Sequence, residues 1–226
     1  MLFLWMFSSI RSYKAPNFLA LHLRWVMQTY PQRLSRFFSL KTLTHPLEGI
    51  FFLLDILLIL DCHELLSNAF KRETRPLSDS EKFSARMVFG NAIPLDLVRI
   101  DESARIGTRS TGIVYVSGFT INSWGTFSEA ILIHELVHVW QYCRQGAAYI
   151  PRALRAQGTA MGYNYGGLTA LRKAQHISEF NLEQQGDLVM DYFLLLQDRQ
   201  ASWAPEAGAI DLPLYETFVD QIRNGT

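Results

Sequence analysis

Residues 47–60 form a nearly unbroken apolar run, in which Ile50, Phe51, Phe52, Leu53, Leu54, Ile56, Leu57, Leu58 and Ile59 are interrupted by Asp55 and closed by Asp61. A spanning helix needs roughly 20 apolar residues, and this run is shorter and holds an acid in its middle. It predicts a helical hairpin, either buried or facing a membrane. Upstream, over residues 16–43, Phe18, Trp25, Phe37 and Phe38 mix with arginines. A helix lying on an acidic membrane surface and an amphipathic helix packed on the rest of the chain both fit, and the ragged period favours packing.

From Lys71 the pattern changes. The polar run Lys71-Arg72-Glu73-Thr74-Arg75-Pro76 reads as a linker and divides the chain into residues 1–70 and 71–226. Ser78, with Glu81 three residues on, makes a capping box for a helix running to Phe89 and stopped by Gly90. Residues 97–100 and 113–116 are short β-branched runs and read as strands. Thr126 precedes Glu129 by three, a second capping box, and opens a helix over the strongly apolar stretch that ends at Gln145 before Gly146. Beyond it, the spacing predicts a short helix over 149–159 and a loop over 158–167. A long helical region from Leu168 should break near residues 178–180 and restart at Asn181, an N-cap with Gln184 at the third position. A short amphipathic helix over 214–222 closes the chain. The sum is an α+β fold, mainly helical, with a small sheet and a helical hydrophobic N-terminal region.

Composition changes this picture only locally. The 226 residues are 49% hydrophobic and 13% aromatic with zero formal net charge, which is a globular composition with room for a proper core. Residues 1–46 hold six basic residues and no acid, so the remainder is acidic by six. Zero net charge and the lack of a base-reading motif argue against a nucleic-acid partner. The apolar start, residues 1–10, has no basic segment before it and no small-residue cleavage site, so no cleavable signal peptide is expected there; an anchor or an over-long start remains. Cys62 and Cys143 are too few for a disulfide scaffold and are expected to be packing residues.

The chemistry sits in the helix that Glu129 opens. In His134-Glu135-Leu136-Val137-His138 the histidines are about one turn apart on one face and can reach one metal ion. Glu135 points about 100° round the helix, where it can hold a water and take its proton. A catalytic zinc takes three protein ligands, so a third is needed. No histidine follows at the metzincin spacing. Downstream, Asn181-Leu182-Glu183-Gln184-Gln185-Gly186-Asp187 offers Glu183 as a metal ligand, with Asp187 one turn on to accept the other ring N–H of a ligand histidine. Glu179 is the rival ligand. A solvated helix face for Glu183, and Arg172 or Lys173 as the partner of Asp187, are the plainer alternatives.

Several motifs together resemble the Vgr-related zinc metallopeptidases: Arg75-Pro76-Leu77 with Glu81, Val88-Phe89-Gly90-Asn91-Ala92-Ile93, Val98-Arg99-Ile100, the His134 to Gln141 motif with its HVWQ tail, and Asn181-Leu182-Glu183-Gln184-Gln185. The resemblance spans about residues 73–198. Such domains occur alone or fused behind type VI secretion spike proteins. The resemblance implies a zincin-like peptidase domain with one zinc per chain on His134, His138 and Glu183, and Glu135 as general base. It also implies a bacterial secreted or membrane-associated effector acting on a peptide or protein substrate, with a secretion-spike or immunity partner. Tyr163, Tyr165 and His176 lie between the two ligand segments and are candidate oxyanion donors. The strand over 113–116 could pair an extended peptide. Two alternatives stand beside this one. A non-catalytic, zinc-stabilised module would need a fourth ligand, with Glu179 or His176 available. An N-terminal region that itself binds a membrane surface or nucleic acid would make the metal domain secondary, and it ranks last.

Overall fold

The structure, a computed structural model, describes residues 18–38, 46–70, 74–159 and 162–225; the apolar start over residues 1–10 and residues 71–73 of the expected linker lie outside them, and the rest of that run, Thr74–Pro76, is not a linker but a strand paired into the sheet. The described residues are mainly helical, with a small mixed sheet of four strands. Three helices come first: α1 (Phe18–Phe38), α2 (Pro46–Ile56) and α3 (Ile59–Phe70). Then follow β1 (Thr74–Pro76), α4 (Asp79–Phe89), β2 (Arg99–Asp101), α5 (Thr108–Thr111), β3 (Tyr115–Ser117) and β4 (Thr120–Asn122). The last five are α6 (Glu129–Gln145), α7 (Tyr149–Gln157), α8 (Gly167–Leu171), α9 (Leu182–Leu196) and α10 (Leu212–Asn224).

The strand order is β1-β2-β4-β3, with β2 and β4 parallel and both outer pairs antiparallel. Ile100, Ile121 and Val116 are in register across three strands and are all buried, which fixes one face of the sheet on the core. β3 is an edge strand. Helix α6 runs through the centre of the molecule, with nearly every side chain from Ala130 to Tyr142 buried, and packs along α9. A helix apolar on all sides is stable only when covered on all sides. Its polar residues are therefore held for a reason other than solubility.

The α4 capping box forms as expected, with Ser78 accepting from the Glu81 amide and Glu81 from the Ser78 amide. α6 opens differently: Ser128, not Thr126, is the cap and accepts from the Ile131 amide at 3.3 Å. Both residue types can cap, and the one directly before the first helical residue takes the role. The long helix expected from Leu168 is also absent. After α8 the Glu179 carboxylate accepts from the backbone amides of Gln175 and His176, which draws the chain into a tight turn at Ile177–Glu179. Cys143 is half-buried against the core, but Cys62 is exposed and is not a packing residue.

The apolar run is a hairpin of α2 and α3, closed at Leu58 in the left-handed region (φ 56°). Asp55 and Asp61, which interrupt it, are the buried counter-ions of Arg33 from α1, and His22 completes the cluster at 3.1 Å from Asp61. α1 is thus packed on the domain, with Trp25 stacked on Tyr142 of α6. No described helix is long and apolar enough to cross a membrane.

Glu64 of α3 is buried and accepts from the Phe119 amide at 2.8 Å and the Thr120 hydroxyl at 3.2 Å. Burial pushes its carboxyl up to about 8, against these donors and Arg99. The folded chain then keeps a proton that the unfolded chain loses above the ordinary 4.5. Stability from this group falls as pH rises between those values, by up to about 1.4 kcal/mol per pH unit. Glu64→Gln is expected to flatten that fall and to raise the melting temperature at pH 8. An unchanged pH dependence of thermal unfolding would contradict the assignment.

Candidate metal centre

Helices α6 and α9 bring His134, His138 and Glu183 together. Their ligand atoms all lie within 4.8 Å of one another, and all three residues are buried. Both histidine Nε2 atoms face the same oxygen, Glu183 Oε2, each at 3.4 Å. That spacing is long for a hydrogen bond to a carboxylate, which prefers about 2.7–2.9 Å. It leaves room for a cation between the groups: two donors about 2.1 Å from a tetrahedral metal lie about 3.4 Å apart.

The far side of each ring is occupied. His134 Nδ1 lies 2.8 Å from Asp187 Oδ1, and His138 Nδ1 lies 2.8 Å from Gln141 Oε1. These contacts leave both Nε2 atoms aimed at the centre. Asp187 is therefore not the partner of Arg172, which lies 3.5 Å from Asp211 instead. Gln141 is held in turn, its amide donating to the Leu182 carbonyl and to Gln185 Oε1, both at 2.9 Å. Gln157 of α7 donates to Glu183 Oε1 at 3.0 Å and leaves Oε2 to the histidines.

The charge balance also fits a cation. Burial works against a charged His134 ring, but Asp187 and Glu183 outweigh it and push the ring up to about 10. His138 moves the same way, against burial, through Glu183. Burial resists ionisation of Glu183 as well, and the two imidazoles hold its carboxyl well below the usual range. Three carboxylates and two imidazoles thus share a buried space that favours positive charge, which protons on the rings or a divalent metal can supply.

Glu135 is buried beside these residues, and its Oε2 has no hydrogen-bond partner among the described residues. Burial raises its carboxyl, and the two histidines oppose that. An unpartnered buried carboxylate oxygen is costly unless something else comes to it. The site opens on a cavity of about 650 Å³ bounded by residues 113–116 of the sheet edge, Tyr149, Leu154, Met190 and Trp203.

Of the expected oxyanion donors, the structure brings only Tyr163 to this cavity, its ring centroid 6.0 Å from that of His134. Burial and the nearby carboxylates push its phenol up to about 12, so it keeps its proton to donate. Tyr165 is elsewhere: its hydroxyl donates to Asp191 at 2.7 Å and meets Tyr215 at 2.6 Å in the core. His176 and Glu179 are exposed on the turn before α9 and do not join the centre.

Three contributors were not assigned from sequence. Gln141 ends the HVWQ tail and Gln185 ends the run from Asn181, motifs in which neither glutamine has an assigned role. Gly186 is the third: a Cβ there would lie 2.6–2.9 Å from three atoms of the His134 ring. Its signal was a glycine inside an otherwise regular helix.

No family model matches the chain. Among solved structures, the effector domain of Pseudomonas aeruginosa VgrG2b aligns with a TM-score of 0.41 at 23% identity, covering 64% of this chain and 89% of that one. In sequence, the chain is 28% identical over 144 residues to the type VI secretion system spike protein VgrG2b of Pseudomonas aeruginosa, an alignment that takes in 58% of this chain and spans 14% of that protein's length.

Proposed function

We propose that the chain is a zinc-dependent metallopeptidase of zincin type, carried by residues 71–226, and that it serves as a type VI secretion-associated effector. The observation that carries the peptidase reading is the pair of 3.4 Å distances from His134 and His138 to one oxygen of Glu183, at tetrahedral ligand spacing and open to a cavity. Zinc held by these three residues would act as a Lewis acid, polarising a carbonyl and bringing the pKa of a water towards neutrality. Glu135 Oε2 takes the proton of the attacking water and passes it to the leaving amine. Tyr163 donates a hydrogen bond to the developing oxyanion. Asp187 and Gln141 hold the two rings in the tautomer that presents Nε2 to the metal. An extended peptide pairs along the outer edge of β3, where the Tyr149 hydroxyl already donates to the Val116 carbonyl.

A closed, non-catalytic zinc module finds less support. Among the described residues, His134, His138 and Glu183 are the one set that could hold a metal, all three line the cavity, and His176 and Glu179, the expected fourth ligands, are exposed on the turn before α9. The effector reading rests on the similarity to a spike protein, and with it come a spike or immunity partner and a bacterial, secreted location. The test of the activity is metal removal from the full chain. Cleavage of a peptide mixture should stop on chelation and return with one equivalent of zinc. Cleavage that survives chelation would place the chemistry elsewhere.

A further inference from the structure

The α2–α3 hairpin is built with its polarity inverted. Its four acids, Glu48, Asp55, Asp61 and Glu64, are no more than 5% exposed. Glu48 pairs with Arg152 and Arg155, Asp55 and Asp61 with Arg33, and Glu64 accepts from the sheet. Meanwhile Leu47, Ile50, Leu53, Leu57, Ile59 and Leu66 are each 46–57% exposed. A hairpin that only needed water on its outer face would place these groups the other way round. Ionisable groups inward and aliphatics outward is the arrangement of a segment whose outer medium is hydrocarbon.

Length and charge say which kind of contact this is. Helices of 11 and 12 residues are too short to span, and no described helix can cross a membrane. The same four acids are the only ones in the first 70 residues and all are buried, while of the six basic residues over 1–46 Arg33 is spent on two of them. Arg24 is exposed on α1 beside Leu23 and Met27, themselves exposed apolar residues. The N-terminal region thus combines an apolar face with positive charge and offers no exposed acid, which complements an anionic lipid surface.

We propose that the α2–α3 hairpin inserts its outer face, with Leu57 at the tip, into the interface of an anionic bilayer and seats the chain there without spanning it. The proposal is independent of the peptidase reading. The probe is flotation of the full chain with phosphatidylcholine vesicles, with and without phosphatidylglycerol. The wild type should float with the phosphatidylglycerol vesicles and bind the neutral ones more weakly. Ile50→Glu combined with Leu57→Glu should lower the partition coefficient at least about tenfold. Leu66→Glu, on the other helix, is a separate probe with the same expected direction. These positions are half exposed, so circular dichroism and the melting temperature should not change. A wild type that stays with neither vesicle, or variants that float as well as wild type, would overturn the proposal. So would equal binding to both vesicle types. A wild-type dimer that the variants dissociate, with no flotation by either, would assign the face to a second copy of the chain instead.

Discussion

Glu135→Gln is expected to lower kcat/KM by at least about 10²–10⁴ while the chain keeps its fold and its metal. The substitution preserves shape and removes only the ability to accept a proton. Glu135 is not among the three residues whose ligand atoms converge, so metal content should stay at one per chain. Its Oε2 has no partner among the described residues, so no structural hydrogen bond is broken there. Removing a buried charge should leave the protein at least as stable as before. Metal content, melting temperature and peptide turnover on one preparation check all three statements. Turnover within a few-fold of wild type would show that another group takes the proton.

Gly186→Ala should damage the site from a position that touches no substrate. In an ordinary helix this change stabilises by about 1 kcal/mol. Here the new Cβ would fall 2.6 Å from His134 Cε1 and 2.7 Å from Nδ1. The ring cannot step aside, because Asp187 holds Nδ1 and Glu183 faces Nε2. Either α9 moves away from α6 or the ring leaves its place, and overpacking of this kind costs about 1–3 kcal/mol. The expected result is a lower melting temperature and a fall in zinc affinity of about 10–100-fold, measured by competition with a chromophoric chelator. A more stable protein with unchanged affinity would mean that the close approach is not real.

Much of the site was legible because its parts are local. The histidines and Glu135 lie within about one and a half turns of one helix, and Asn181 fixes the phase of α9, so Glu183 and Asp187 follow at known angles. That Asp187 would reach a histidine of the motif needed only the i to i+4 geometry and the expectation that the helices face each other. The supports of His138 were not legible for the opposite reason. Gln141 acts through Gln185 and the Leu182 carbonyl, contacts that exist only once α6 and α9 have docked. Tyr165 and His176 illustrate the same limit. Both lie between α6 and α9 in sequence, yet one spends its hydroxyl on Asp191 in the core and the other stays on an exposed turn. In the hairpin the sequence marked Asp55 and Asp61 as interruptions, and their burial against Arg33 could not be inferred without knowing where α1 lies.

Metal analysis of purified protein tests whether His134, His138 and Glu183 hold one zinc ion. About one zinc per chain is expected in the wild type, with loss of that zinc in Glu183→Ala and the fold retained. A wild type that takes up no zinc, or a Glu183→Ala variant that retains it fully, would show that these residues are not its ligands.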